Sequence, residues 1–419
     1  MQKLIIVGRK KLNGTVNISG SKNATLPILA ASILNKNKVT IKNIPLVKDV
    51  ETMIDLLSLI GSKIKLVKKK RKIEILNNSK LNTFASYKLV RTMRAGVLVL
   101  GPLLARFNKA KVSLPGGCAI GSRPVDLHLA ALRKLGVNFN IKNGYINATA
   151  KYGLIGNKIT FPKISVGATE NTMIAACLAK GKTVLSNCAC EPEVKDLSAF
   201  LSSMGCNIKW LGKRKVEING VKDLRSSSYR VMFDRIEAST YMIASAVTNG
   251  HIRIKNIISK IIKGEIFIMK KMGISINVKK NEIMIKNTKK IKKIFLSTSP
   301  FPGFPTDLQA QIMVLMCKAK GVSKIKENIF ENRFMHISEL NRMGAKIKIK
   351  GNQAIVQGER KLNGAEVMAT DLRASVSLVL AALSANSKTV INRVYHLDRG
   401  YENIEKKLSK CGAKIKRIG

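Results

Sequence analysis

One pattern recurs along this chain. An apolar helical stretch ends at a glycine, and a strand with alternating apolar and polar positions follows. The glycines are Gly61, Gly136, Gly205, Gly273, Gly344 and Gly412, spaced 68 to 75 residues apart. Glycine tolerates the left-handed backbone that closes a helix, so each reads as a helix stop. A second pattern keeps the same period. Polar turns lead into small-residue helices at Lys22-Asn23-Ala24, Met93-Arg94-Ala95, Gly167-Ala168-Thr169, Ile236-Glu237-Ala238, Leu308-Gln309-Ala310 and Leu372-Arg373-Ala374. Helices such as 26–34 and 375–383 are apolar all round, which predicts burial on every side. Strands follow most of them, as at Val39-Thr40-Ile41, Thr183-Val184-Leu185, Ile252-Arg253-Ile254 and Thr389-Val390-Ile391.

Each unit therefore holds a buried helix, a strand, a more amphipathic outer helix and further strands, an α/β arrangement. A chain of 419 residues is too long for one ordinary core, so it predicts two domains or one array of repeats. Three units per domain is the simplest division. The halfway point falls near residue 230, just before the fourth buried helix. Equivalent helix starts carry Lys22, Asn23, Arg94, Asp307 and Arg373. Placed on one face of each domain by the repeat, these helix ends and arginines would suit a polyanionic substrate. Glu237 and Gln309, at corresponding positions, read as ordinary caps or solvated groups.

Composition changes this picture little. The formal net charge is +50, with 75 Lys and Arg against 25 Asp and Glu. Much of the excess alternates along strands, as in Lys63-Ile64-Lys65-Leu66 and Lys346-Ile347-Lys348-Ile349, which predicts the solvated face of half-buried strands. The run 68–72 reads as a basic hairpin tip. Aromatic residues are only 5%, few for base stacking. The charge reads as compositional bias, with a basic nucleic-acid-binding protein as the rival from another class. No apolar run reaches membrane-spanning length, and the start has no signal-peptide pattern, so a soluble cytoplasmic protein is expected. Seven cysteines and four scattered histidines show no metal-ligand spacing. Cys177 and Cys317 fall in apolar helical patterns and read as core residues. Cys188 and Cys190 are too close for an ordinary disulfide.

The densest chemical signal is Pro115-Gly116-Gly117-Cys118-Ala119-Ile120-Gly121-Ser122-Arg123-Pro124. Its glycines allow close backbone approach to a ligand, and Arg123 can stabilise a thiolate. Next, Arg123-Pro124-Val125-Asp126-Leu127 reads as a helix start able to bind phosphate. Thiol, arginine and helix end suggest chemistry on a phosphorylated substrate. Taken alone, the loop also reads as a tight turn carrying a free cysteine.

The motifs Ser19-Gly20-Ser21-Lys22-Asn23-Ala24, Arg91-Thr92-Met93-Arg94-Ala95, the Cys118 loop, Ser165-Val166-Gly167-Ala168-Thr169, Phe304-Pro305-Thr306-Asp307, Phe330-Glu331-Asn332-Arg333-Phe334-Met335-His336, Ala369-Thr370-Asp371-Leu372-Arg373-Ala374 and Asp398-Arg399-Gly400-Tyr401-Glu402 extend over nearly the whole chain. Together the chain resembles the bacterial UDP-N-acetylglucosamine 1-carboxyvinyltransferases, enolpyruvyl transferases of peptidoglycan synthesis within the EPSP synthase superfamily. The resemblance implies two inside-out, barrel-like α/β domains, each of three βαβαββ units around buried helices. One is 22–232, with the Cys118 loop; the other joins 1–21 to 233–419. The implied reaction moves the enolpyruvyl group of phosphoenolpyruvate to the 3′-hydroxyl of UDP-N-acetylglucosamine and releases phosphate. It runs by addition and elimination through a tetrahedral intermediate.

The same resemblance implies residue roles. Cys118 protonates the methylene carbon, forms a 2-(S-cysteinyl)pyruvate adduct and is the fosfomycin target. Asp307 is the base for the sugar hydroxyl; a capping role beside Thr306 is compatible with that. Lys22, Arg123 and Arg399 match the phosphate side, and Arg333, Arg373 and Arg399 the carboxylate side. Sugar-nucleotide contacts fall on Asn23, Arg94, Arg123, Pro124, Val125, Asp126, Leu127, Lys163, Ile164, Ser165, Val166, Asp307 and Ile329, with Val166 and Ile329 able to act through backbone alone. His336 and His396 read as structural. Cys190 stands where the family usually has a basic residue. No metal, organic cofactor, membrane or specific nucleic acid is implied, and a monomer is expected. The nearest enzymatic rival is the sister transferase acting on shikimate 3-phosphate. Two substrates in one phosphate-rich cleft suggest that the Cys118 loop closes as a lid when the sugar nucleotide binds.

Overall fold

A computed structural model describes residues 2–77, 80–116, 125–286 and 290–419. They divide into two compact units, one of 20–116 with 125–232, the other of 2–19 with 233–419.

The repeat becomes six four-stranded sheets of one topology, three in each unit. In the sheet holding Lys109–Ser113, that strand pairs in parallel with Phe84–Ala85 and antiparallel with Tyr145–Thr149, which pairs with Asn138–Lys142. A helix crossing precedes the parallel pairing, and a tight hairpin joins Asn138–Lys142 to Tyr145–Thr149. The first unit closes on itself: Ser227–Arg230, near its end, pairs with Val39–Lys42 near its start, with Tyr229 opposite Ile41.

The other unit takes two strands from the beginning of the chain. Asn13–Asn17 lies parallel to His251–Lys255. Lys3–Val7 is inserted between Lys388–Asn392 and Lys414–Ile418, with Ile5 opposite both Val390 and Lys416. It fills the place that a following hairpin strand takes in the other five sheets.

The central helices are buried all round. Every residue of Arg235–Val247, Gln309–Cys317 and Ala374–Ser384 is buried. Their small side chains let helices approach closely, and each Leu, Ile or Val contributes roughly 1.5–3 kcal/mol by leaving water. Outer helices such as Lys48–Ile60 bury one stripe, here Val50, Met53, Leu56, Leu57 and Ile60. All six period-marking glycines have φ between +86° and +109°. At Gly61 the amide donates to the carbonyls of Leu57 and Ser58, closing the helix as expected of a glycine stop.

Several local expectations are met. Residues 68–70 form the 3₁₀ tip between antiparallel Ser62–Val67 and Lys72–Asn77. Cys177 and Cys317 are buried, and Cys188 and Cys190 are not joined in a disulfide. Others need correction. Ile349 is 53% exposed, so the alternation in Lys346–Lys350 buries only Ile347. Glu237 and Gln309 are neither caps nor solvated. Asp234 caps its helix through the amides of Ile236 and Glu237, while buried Glu237 accepts from the Ser19 amide and the Lys407 ammonium. Gln309 is fully buried. Arg94 opens a 3₁₀ segment, Arg94–Val99, and the α-helix starts only at Leu100.

Candidate active site

In the unit of 20–232, expected ligand-binding residues stand at helix starts. Ser21 caps the helix Lys22–Ala31 by accepting from the Ala24 amide. Lys22 is nearly buried there, and its ammonium meets the Asp49 carboxylate at 3.2 Å. Asn23, beside it, is half-buried. Ser165 caps Val166–Ala176 in the same way through the Ala168 amide. Lys163 is exposed, Ile164 half-buried, and Val166 shows its side chain to solvent. Asp126 opens the helix Asp126–Lys134, preceded by buried Val125 and followed by half-buried Leu127.

A buried polar knot ties three of these helix starts together. His128 Nδ1 lies 3.1 Å from the Asn171 amide nitrogen. The Asn171 oxygen accepts from the Gly101 amide, and its nitrogen donates to the Val97 carbonyl. Gly167 leaves room for this contact, since a Cβ there would press on the His128 ring at 3.1 Å. The segments bearing Arg94, Asp126 and Ser165 are thus fixed to one another. Burial pushes His128 down to about 4, aided by the Arg94 charge and opposed by Asp126. Its ring is neutral at physiological pH. Cys118, Arg123 and Pro124 lie outside the described residues, as does any lid role of that loop.

In the other unit, Asp307, Arg333 and Arg373 come together. Arg333 Nη2 meets Asp307 Oδ1 at 2.9 Å, and Arg373 Nε meets Asp307 Oδ2 at 3.3 Å. Asp307 does not take up the alternative capping role; its carboxylate is engaged by the two guanidiniums instead. Arg373 is 2% exposed, lies over the Tyr401 ring and also faces Asp234 at 3.8 Å. Burial disfavours its charge, but Tyr401, Asp234 and Asp307 more than offset this and hold the guanidinium above its ordinary value. Gln311 bonds both the Asp307 carbonyl and the Tyr401 hydroxyl, steadying the floor. Ile329 is half-buried, with its amide donating to Glu327. Arg399 ends the short helix Tyr395–Asp398, where its charge acts with burial to lower His396. His336 is fully buried, and burial pushes it to about 4.

Two carboxylates escaped the sequence reading. Asp49 looks like a first-turn acid favoured by the helix dipole, yet it is buried against Lys22. Glu327 follows a lysine and looks solvated. Its signal was the period of two: Ser323 and Ile325 face inward, so Glu327 does as well. Such a set can grip an anion with two guanidiniums and offer a carboxylate oxygen to a hydroxyl proton.

The fold is that of the enolpyruvyl transferases. The enolpyruvyl transferase NikO from Streptomyces tendae superposes with a TM-score of 0.90, covering 100% of this chain and 99% of the other at 22% identity. EPSP synthase from Acinetobacter baumannii gives 0.77, with 100% of both chains covered at 17% identity. A model of EPSP synthase (3-phosphoshikimate 1-carboxyvinyltransferase) matches residues 6–408, and the chain belongs to that family. It is 65% identical over 418 residues to the UDP-N-acetylglucosamine 1-carboxyvinyltransferase of Pelagibacter ubique (strain HTCC1062). It is 54% identical over 420 residues to the protein so named from Rickettsia prowazekii (strain Madrid E). Both alignments cover 100% of each chain. Among the described residues no helix is long and apolar enough to cross a membrane.

Proposed function

We propose that this protein is a transferase that moves the enolpyruvyl group of phosphoenolpyruvate to the 3′-hydroxyl of UDP-N-acetylglucosamine, the first committed step of peptidoglycan synthesis. The observation that carries this reading is 65% identity, end to end, with a relative of that name. The paired guanidiniums on Asp307 support it, because the reaction needs both a base and cationic anchors for a carboxylate and a phosphate.

The chemistry distributes over residues as follows. Cys118 gives a proton to the methylene carbon of phosphoenolpyruvate, leaving the adjacent carbon electron-poor. The sugar 3′-oxygen bonds to that carbon while its proton passes to Asp307. The Cys118 thiolate then takes a proton back from the new methyl group, the C=C bond re-forms and the C–O bond to phosphate breaks, releasing phosphate. Lys22, Arg123 and Arg399 hold the phosphate; Arg333, Arg373 and Arg399 hold the carboxylate. Asn23, Arg94, residues 123–127, residues 163–166 and Ile329 hold the sugar nucleotide. A thiol of ordinary pKa about 8.5 keeps its proton near neutrality and can still give it up. The reaction occurs in the cytoplasm, with two small-molecule substrates.

The test is phosphate release from phosphoenolpyruvate, with and without UDP-N-acetylglucosamine and with shikimate 3-phosphate as the alternative acceptor. Release is expected only with the sugar nucleotide. Fosfomycin should block the wild type, and a Cys118→Ser variant should escape covalent labelling. Release with shikimate 3-phosphate instead would move the activity to the sister reaction.

A further inference from the structure

Glu327 lies just past the strand Val322–Lys326, is 3% exposed, and carries no role in the reaction as described above. Its carboxylate is a hub. Oε1 accepts from the Thr298 hydroxyl at 2.9 Å, the Ile329 amide at 2.8 Å and the Phe330 amide at 3.2 Å. Oε2 accepts from the Thr306 hydroxyl at 2.9 Å. Having donated its proton to Glu327, the Thr306 oxygen faces Arg333 as an acceptor, and Arg333 Nη1 donates to it at 3.2 Å. The other end of the same guanidinium donates to Asp307. The backbone of Glu327 is pinned as well, its amide to the Asn352 carbonyl and its carbonyl to the Asn352 side chain.

The groups form one chain in which Arg333 donates at one end to Asp307 and at the other to Thr306, and Thr306 donates on to Glu327. A buried carboxylate is costly unless it is fully bonded, and these donors offset that cost. The arrangement fixes the direction of the Thr306 hydroxyl. That direction makes Thr306 an acceptor for Arg333, and so sets the plane in which Arg333 presents itself to Asp307. The other oxygen shapes the 328–330 turn that carries Ile329.

We propose that Glu327 is a positioning residue for the transfer reaction, orienting Arg333 and the Asp307 carboxylate through the Thr306 hydroxyl. This rests on the reading of Asp307 as the base. Small errors in the placement of a reacting group cost rate heavily. The effect should therefore fall chiefly on kcat, because the path ends at the group that moves a proton, with any change in affinity confined to phosphoenolpyruvate, whose carboxylate Arg333 holds, and not to the sugar nucleotide.

The experiment is steady-state kinetics of phosphate release for the wild type, Thr306→Val, Glu327→Gln and the double variant, with thermal unfolding alongside. Thr306→Val keeps the shape and removes only the relay. Glu327→Gln keeps an oxygen for Thr298, Ile329 and Phe330 but offers an N–H to Thr306. Each single change should lower kcat by at least about ten-fold, with KM for the sugar nucleotide little changed. Because both cut one path, the double variant should be no slower than the slower single variant. Losses that multiply in the double variant, or kcat values equal to wild type, would overturn the positioning role. A wild type that turns over neither acceptor would overturn the reaction itself.

Discussion

Asp307 sits between two guanidiniums because Arg333 and Arg373 are themselves buried and cannot turn to water for compensation. A carboxylate so held is oriented before any substrate arrives. The buried histidines show the other use of a dry interior. His128 and His336 are each pushed to about 4, against an ordinary 6.5, chiefly by burial. Between those values the unfolded chain binds protons that the folded chain refuses. Their contribution to stability is therefore complete above about pH 6.5 and is lost as the pH falls toward 4. Asp196, raised by burial to about 6, works in the opposite sense over a similar range. The stability gap between wild type and His128→Gln isolates one histidine. That gap should narrow by about 2 kcal/mol from pH 7 to pH 5 in urea unfolding, since the variant has no imidazole to charge. A gap that stays constant would mean that His128 titrates normally. At this scale the sequence named Lys22, Asp307, Arg333 and Arg373 through motifs. It did not reveal Asp49 or Glu327, since an acid beside lysines looks solvated until the strand's facing is known.

The recurrent element is an outer amphipathic helix closed by glycine, and that glycine is the part of the fold most legible in advance. At Gly61 φ is +109°, and an added Cβ would touch only Leu81 Cδ2, at 3.4 Å. Substitution there tests the backbone alone. Gly61→Ala should destabilise by roughly 1–2 kcal/mol, read as a lower urea midpoint with unchanged slope. An unaltered midpoint would show that the left-handed stop is dispensable. Gly20 differs: a Cβ would lie 1.6 Å from the Asn43 carbonyl oxygen, so its constraint is space and not conformation. The periodic pattern predicted helix, glycine and strand correctly but misplaced the start at Arg94. There Met93-Arg94-Ala95 looks like an α-helix entry, yet Gly101 packs against Asn171 and the first turns run as 3₁₀ helix. The sixth sheet was hidden for a different reason. Its inserted strand, Lys3–Val7, lies hundreds of residues from its neighbours in sequence, and no local period records such a pairing.

Across the whole molecule, 75 cations face 25 acids, and few of the recorded ion pairs are buried. Self-repulsion at this charge opposes compactness and is long-ranged at low salt, where the screening length is about 30 Å at 0.01 M against about 8 Å at 0.15 M. Raising sodium chloride across that range should raise the unfolding temperature. A fall would mean that surface ion pairs outweigh the repulsion. The strand Lys3–Val7 carries a separate consequence, for the order of synthesis. The ribosome makes this strand long before its two sheet partners, Lys388–Asn392 and Lys414–Ile418. Residues 20–232 contain all twelve strands of their own three sheets and can close while translation continues. The strand Lys3–Val7 must instead wait, unpaired, until both partners have been made, and the second unit is sealed only once they have cleared the exit tunnel.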